Sequence, residues 1–194
     1  MGCVGQFRPM KIDKTAIEGV LVLEPKRFGD ERGFFMESYN QRTFEAAVGH
    51  PVNFVQDNHS RSRKGTVRGL HFQSKPGQAK LIRCTAGMIW DVAVDIRAGS
   101  PSFGKWFGIE LSAENSRMIF IPVGFAHGFA VLSEEADVQY QCSAYYDAKT
   151  EAGFRWNDPE VGVDWRTSDP ILSERDQTSP SFAELRARIE GGRE

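Results

Sequence analysis

The chain of 194 residues carries 24 Lys and Arg against 26 Asp and Glu, with 40% hydrophobic and 26% charged residues. This is globular composition for one domain, and the near balance of charge excludes a surface built throughout to grip nucleic-acid phosphates or an anionic membrane. The longest run free of Asp, Glu, Lys and Arg, from Met118 to Ser133, has 16 residues, short of the roughly 20 that cross a bilayer as a helix.

Residues 1–9 read as a loose extension and 10–194 as a single domain. The opening MGCVGQFRPMK has no apolar signal core, and Gln6 stands where a myristoylation signal wants Ser or Thr. From about residue 20 to 147, short apolar or alternating runs predict strands. They are 19–23, 53–56, 66–72, 81–85, 88–96, 106–111, 118–121, 128–132 and 137–142. Ala86-Gly87, 98–101 and 112–115 read as hairpin connections between them. The spacing of roughly 8–12 residues is that of an all-β sandwich or barrel, and a jelly-roll β-barrel with short peripheral helices fits it. One helix is predicted over Gln41–Val48 behind Asn40 as N-cap. A second has Ser179 as N-cap, Pro180 at its first position, and Phe182, Leu185 and Ile189 on one face. Cys3, Cys84 and Cys142 are odd in number and share no metal-like or disulfide-like spacing, which suits a reducing cytoplasm.

In Arg68-Gly69-Leu70-His71-Phe72-Gln73, strict alternation sends Gly69, His71 and Gln73 to one face and Arg68, Leu70 and Phe72 to the other, unless Gly69 marks a bulge that re-aims one of them. An isolated strand histidine is most simply a hydrogen-bonded core residue; among small neighbours it also suits a lined cavity. The turn Pro122-Val123-Gly124-Phe125-Ala126-His127 delivers His127 onto the start of a strand and looks like the second motif of the cupins. Metal-binding cupins pair it with an earlier His-x-His. Here Gln73 takes the second position, and an amide is a poor substitute for imidazole, so no metal site is expected. Arg32, Arg68, Lys80, Arg83 and Arg175 are individually ordinary surface cations. Together with Gln56-Asp57-Asn58 they would suit an anionic, hydroxyl-rich ligand such as a sugar nucleotide. Tyr140, Tyr145 and Tyr146, assigned to one of the last strands, are core residues with a wet hydroxyl by default, or a stacking platform and proton donor.

Several ordered motifs then combine: Phe28-Gly29-Asp30-Glu31-Arg32-Gly33-Phe34-Phe35, Gln56-Asp57-Asn58-His59-Ser60, Arg68-Gly69-Leu70-His71, Phe103-Gly104-Lys105-Trp106, 111–115, Pro122 to Phe129 and Trp156-Asn157-Asp158-Pro159. With them the chain, over about residues 12 to 178, resembles the dTDP-4-dehydrorhamnose 3,5-epimerase family. The resemblance implies a cupin-type jelly roll, a homodimer, no metal and no bound cofactor. It also implies a dTDP-4-keto-6-deoxy sugar substrate inverted at C3 and C5. By the same resemblance His71 matches the base, Asp176 the carboxylate that orients it, Tyr140 the proton donor across the sugar and Lys80 the cation near the ketone oxygen. Arg32, Glu37, Gln56, Asn58, Arg68, His127, Glu151 and Arg175 match substrate contacts, and Tyr146 the aromatic that stacks on thymine. Arg175 stands where Lys is frequent. The competing expectations are a mono-epimerase acting at C3 or C5 only, and a sugar-nucleotide-binding cupin without turnover.

Overall fold

The computed structural model describes residues 10–192. In chain order the elements are β1 (Lys11–Lys14), β2 (Leu21–Glu24), β3 (Arg27–Asp30), β4 (Gly33–Met36), α1 (Gln41–Val48), β5 (Gln56–Arg63), β6 (Val67–Gln73), β7 (Lys80–Ala86), β8 (Met88–Asp95), β9 (Trp106–Ser112), β10 (Met118–Ile121), β11 (Phe125–Val131), β12 (Glu135–Cys142), β13 (Glu151–Gly153), α2 (Glu174–Thr178) and α3 (Phe182–Glu190). A six-stranded sheet runs β1-β2-β10-β7-β12-β5, a five-stranded sheet β13-β6-β11-β8-β9, and β3-β4 form a separate hairpin. The expected all-β jelly roll with short peripheral helices is thus present, its two sheets stacked rather than closed into a continuous barrel.

Three apolar layers hold it together. Ile82, Cys84, Ile89, Ala93, Ile119, Phe125, Phe129 and Val138 meet between the sheets. Leu70, Phe72, Trp90, Val92, Val94, Phe154, Trp165, Phe182 and Leu185 pack outside the five-stranded sheet, beneath the C-terminal segments. Leu23, Phe44, Leu81 and Phe120 pack outside the six-stranded sheet, beneath α1. Strand β8 therefore has apolar neighbours on both faces, which is why it is buried almost end to end. Its alternation sends Trp90, Val92 and Val94 outward and Ile89, Asp91 and Ala93 inward.

The helix over Gln41–Val48 forms as expected. Asn40 Oδ1 accepts from the Thr43 N–H at 3.3 Å, and Gly49, at φ 86°, closes the last turn. The C-terminal helix differs at its start: Ser181 is the cap, in a capping box with Glu184, while Ser179 ends α2 and Pro180 lies between the two helices. Its expected face is correct, with Phe182 and Leu185 buried and Ile189 packed beside them. Of the three connections read as hairpins, only 98–101 joins neighbouring strands. Ala86-Gly87 and 112–115 carry the chain from one sheet to the other. Gly87 turns with φ 69° where a Cβ would lie 2.0 Å from Glu135 O, so the crossing is tight enough to look like a hairpin turn in sequence. The run 53–56 is not a strand; the strand begins at Gln56 and continues to Arg63. Tyr145 and Tyr146 lie in the segment after β12 rather than on a strand. Cys84 and Cys142 are buried free thiols, whereas Cys3 and the extension over 1–9 lie outside the described residues.

Candidate active site

The position of His71 depends on one extra residue. Along β6 and β11, Arg68 faces Phe129 and His71 faces His127, so Gly69 and Leu70 together oppose Gly128 alone. This is a β-bulge, and it flips the alternation once. Val67, Leu70 and Phe72 consequently share the outer core, while Arg68 and His71 line the same cavity between the sheets. Strict alternation would have separated them. Two glycines allow the bulge. Gly69 sits at φ 126°, and a Cβ there would lie 2.6 Å from Gly128 Cα and 2.8 Å from His127 O.

The cavity has a volume of about 400 Å³. On the five-stranded wall, His71 Nε2 meets Asp176 Oδ1 at 2.5 Å, with the Asp176 side chain only 3% exposed. Asp176 stands in α2, where the Ser173 hydroxyl donates to Asp176 Oδ2 at 2.9 Å and accepts from the Asp176 N–H at 3.1 Å. Burial pushes this carboxyl up, but the His71 hydrogen bond and charge, Ser173 and Arg175 outweigh it and hold it below the ordinary range. The imidazole is thereby fixed through Nε2, which leaves Nδ1 as its free basic nitrogen. Beside it, His127 Nε2 meets Asp91 Oδ2 at 2.9 Å.

On the six-stranded wall stand Tyr140 from β12 and Lys80 from β7, the ammonium 5.9 Å from the phenol ring centre. Burial raises the Tyr140 phenol and, against the counter-pull of Arg68 and Asn58, keeps it protonated. Burial lowers the Lys80 ammonium; nearby Cys142, Asp91 and Glu151 oppose that shift and Arg175 adds to it. Arg68 donates to Ser62 Oγ at 3.0 Å at the cavity rim.

A second chamber of about 300 Å³ shares His71, Lys80 and Tyr140 with the first and extends past Gln56, Asn58, Tyr146 and Glu151. Its polar groups form one chain. Arg175 Nη1 pairs with Glu151 Oε2 at 2.6 Å, the Tyr146 hydroxyl donates to the same oxygen at 2.8 Å, and the Tyr146 N–H donates to Gln56 Oε1 at 2.8 Å. Gln56 Nε2 then donates to Asn58 Oδ1 at 3.0 Å. Gln73, at the second position of the cupin-like motif, donates its amide to Asp147 O and Thr150 Oγ1 at 3.1 and 2.7 Å. Among the described residues, no cluster of three His, Cys, Asp or Glu has the arrangement to hold a metal.

Eleven of the fourteen site residues expected from sequence therefore line the two joined chambers: His71, Tyr140, Asp176, Lys80, Gln56, Asn58, Arg68, His127, Tyr146, Glu151 and Arg175. Asp57 does not. Alternation along β5 turns it to the outer face, into a small recess with Arg83, whose guanidinium donates to Gln139 Oε1 at 2.7 Å. Arg32 and Glu37 are also elsewhere in this chain. Arg32 pairs with Asp30 on the β3–β4 hairpin, and Glu37 accepts from Asn40 Nδ2 at 3.3 Å. Asp91 and Ser60 line or underlie the cavity and were not anticipated. A charged residue inside the apolar run 88–96 was the available signal for Asp91.

The family described as dTDP-4-dehydrorhamnose 3,5-epimerase matches residues 14–184. The dTDP-4-dehydrorhamnose 3,5-epimerase of Pseudomonas aeruginosa is 55% identical over 176 residues, 90% of this chain and 97% of that protein. That of Escherichia coli is 54% identical over 178 residues, 91% of this chain and 96% of its own length. Among solved structures, a 3,5-epimerase from Legionella pneumophila in complex with dTDP-4-keto-L-rhamnose superposes with a TM-score of 0.90 at 46% identity, covering 93% of this chain and 96% of that one.

Proposed function

This chain belongs to the dTDP-4-dehydrorhamnose 3,5-epimerase family, and from that premise we propose that His71 and Tyr140 divide its acid–base chemistry between opposite faces of the sugar. The chain is an isomerase that inverts C3 and C5 of dTDP-4-dehydro-6-deoxy-D-glucose to give dTDP-4-dehydro-L-rhamnose. Both carbons flank the C4 ketone, so loss of either proton leaves an enolate whose charge lies largely on the C4 oxygen. The observation that carries the proposed roles is the opposition across one cavity of the His71–Asp176 pair on β6 and α2 and the protonated Tyr140 phenol on β12.

His71 Nδ1 takes the proton, and Asp176 stabilises the imidazolium that forms. General-base help of this kind is worth on the order of 10²–10⁴-fold. Lys80 faces the developing C4 oxygen from a site screened from bulk water, where a cation stabilises the enolate most. Tyr140 donates its proton to the carbanion carbon from the far side, and the configuration inverts. Arg68, Arg175, Gln56, Asn58 and Glu151 hold the diphosphate and nucleoside end, with Tyr146 against the thymine, so that binding remote from the reacting carbons orients the ring.

We propose in addition that the active form is a homodimer. The β3–β4 hairpin exposes Phe28, Phe34 and Phe35 at 41%, 53% and 63%, and it holds Arg32 away from this chain's own cavity, as an element would that serves a neighbouring copy. Residues 10–194 form one epimerase domain, no helix of the described residues is long and apolar enough to cross a membrane, and the free buried Cys84 and Cys142 suit a reducing cytoplasm. The test is proton NMR of the product formed from dTDP-4-keto-6-deoxy-D-glucose, trapped with a rhamnose-forming reductase. Inversion at both C3 and C5 is expected; inversion at one centre alone would replace the reading by a mono-epimerase.

A further inference from the structure

Gln73, at the second position of the cupin-like motif, closes β6 two residues beyond His71 and takes no part in the chemistry above. It is 7% exposed, and a buried amide needs partners. Those partners lie on the segment that follows β12: Gln73 Nε2 donates to Asp147 O at 3.1 Å and to Thr150 Oγ1 at 2.7 Å. The Asp147 carbonyl is the hub of a tight turn, since it also accepts from the Thr150 and Glu151 N–H groups at 3.2 and 3.0 Å. Ser74, next along the chain, donates its N–H and its hydroxyl to Thr150 O at 2.8 and 3.1 Å. The end of β6 thus holds the end of this segment. Its start is held by the residues before β7 and at its edge: Ala79 N–H donates to Ser143 Oγ at 2.8 Å, Ser143 N–H to Ala79 O at 2.9 Å, and Gln78 Nε2 to Ala144 O at 2.8 Å.

Between these anchors stands Tyr146, with 55% of its surface exposed. A ring so exposed has little packing to fix its direction, so its aim depends on the backbone that carries it and on its polar handles. Its N–H is fixed by Gln56 and its hydroxyl by Glu151. Glu151 is in turn the direct cross-strand partner of Gln73, so the two side chains share a face. The turn that Gln73 holds therefore begins immediately after Tyr146 and ends on the partner of the Tyr146 hydroxyl. Resting on the epimerase reading, in which Tyr146 lies against the thymine, we propose that Gln73 is a positioning residue for the nucleoside. It fixes the Asp147–Glu151 turn, and through that turn it sets the Tyr146 ring before the substrate arrives. A segment ordered in advance loses little freedom on binding, whereas a released one must first be ordered, which weakens binding. Proton transfer rests on other side chains, His71, Lys80 and Tyr140, so the rate at saturation is kept.

The experiment is calorimetric titration of dTDP into wild type, Gln73→Met, Tyr146→Ala and the double variant, with kcat and KM measured beside it. Methionine keeps the length of the side chain and removes its donor. In Gln73→Met the Kd for dTDP and the KM should rise together by about tenfold while kcat stays within about threefold. On the Tyr146→Ala background the same substitution should add less than about threefold, because no ring is left to position. An unchanged dTDP affinity in folded Gln73→Met, a kcat that falls while KM holds, or effects of Gln73→Met and Tyr146→Ala that simply multiply, overturns the proposal. Wild type that binds dTDP without epimerising would instead refute the functional reading, and the dTDP titrations would still decide this one. Should Gln73→Met fail to fold, Thr150→Val decides, since it removes the nearer acceptor from the loop side: a rise in dTDP Kd of about threefold or more is expected, and an unchanged Kd overturns the proposal.

Discussion

Gly69→Ala tests the structural device that brings Arg68 and His71 onto one wall. At φ 126° the backbone of Gly69 lies outside the regions that an L side chain adopts, and its added Cβ would sit 2.6 Å from Gly128 Cα and 2.8 Å from His127 O. Both obstacles are backbone atoms of the neighbouring strand, so no side chain can swing aside. The backbone strain costs roughly 1–3 kcal/mol and the overlap about 1–3 kcal/mol more. A loss near 4 kcal/mol lowers Tm by roughly 8–16 °C for a chain of this size. The alternative to strain is a slipped bulge, and that turns Arg68 away from His71. Turnover measured at 15 °C, where the variant remains folded, should therefore also fall by at least tenfold. Gly99→Ala is the control: Gly99 has φ 75° but nothing within 4 Å of an added Cβ, so it should lose only about 1 kcal/mol and keep wild-type turnover. A Gly69→Ala enzyme with Tm within 2 °C of wild type and unchanged kcat would refute the bulge argument.

Asp176→Asn should reduce kcat by about 10²–10⁴-fold with KM within threefold, because the imidazolium loses a charged partner at 2.5 Å while the substrate contacts stay; steady-state kinetics on the folded variant checks this. Acid stability should depend on Asp95, which is fully buried. Burial pushes this carboxyl up, but bonds from Arg97, Ser100 and Ser102 overcome that and bring it from 3.8 to about 2. The folded state thus takes up this proton later than the unfolded chain. Asp95 accordingly contributes on the order of 2 kcal/mol above about pH 4, lost as pH falls toward 2. Urea titrations of Asp95→Asn should show a flatter stability curve across that window, and an acid limb as steep as wild type would contradict the assignment.

What could be read from sequence was whatever rests on burial. Strands β8, β10 and β11 are apolar because they are packed on both sides, and the apolar run 118–121 coincides with β10. Strand β5 carries no hydrophobic strand signal, because Gln56–Arg63 contains no apolar residue. It is a sheet edge whose inward side chains build a polar site. The faces of Arg68 and His71 turned on a single extra residue, and alternation alone does not say whether a glycine marks a bulge. The amide and carboxylate groups of Gln56-Asp57-Asn58 together suit a hydroxyl-rich ligand, but a strand sends sequence neighbours to opposite faces, so Asp57 points away from the site that Gln56 and Asn58 line. Asp176 came from resemblance alone: it lies 105 residues from His71, and nothing local distinguishes it from a surface aspartate. Asp91 was visible only as a charge in an apolar run, and its partner, His127, is on another strand.

The division of labour between His71 and Tyr140 is tested most directly by deuterium exchange. Tyr140→Phe incubated with dTDP-4-keto-6-deoxy-D-glucose in D2O should still lose the sugar's α-protons to His71, then regain deuterium from the same face. NMR should find deuterium at C3 or C5 of recovered substrate and little inverted product, while His71→Ala should give neither exchange nor inversion. A folded, nucleotide-binding Tyr140→Phe enzyme that epimerises at the wild-type rate, or that neither exchanges nor epimerises, would contradict the assignment of base and acid to opposite walls of the cavity.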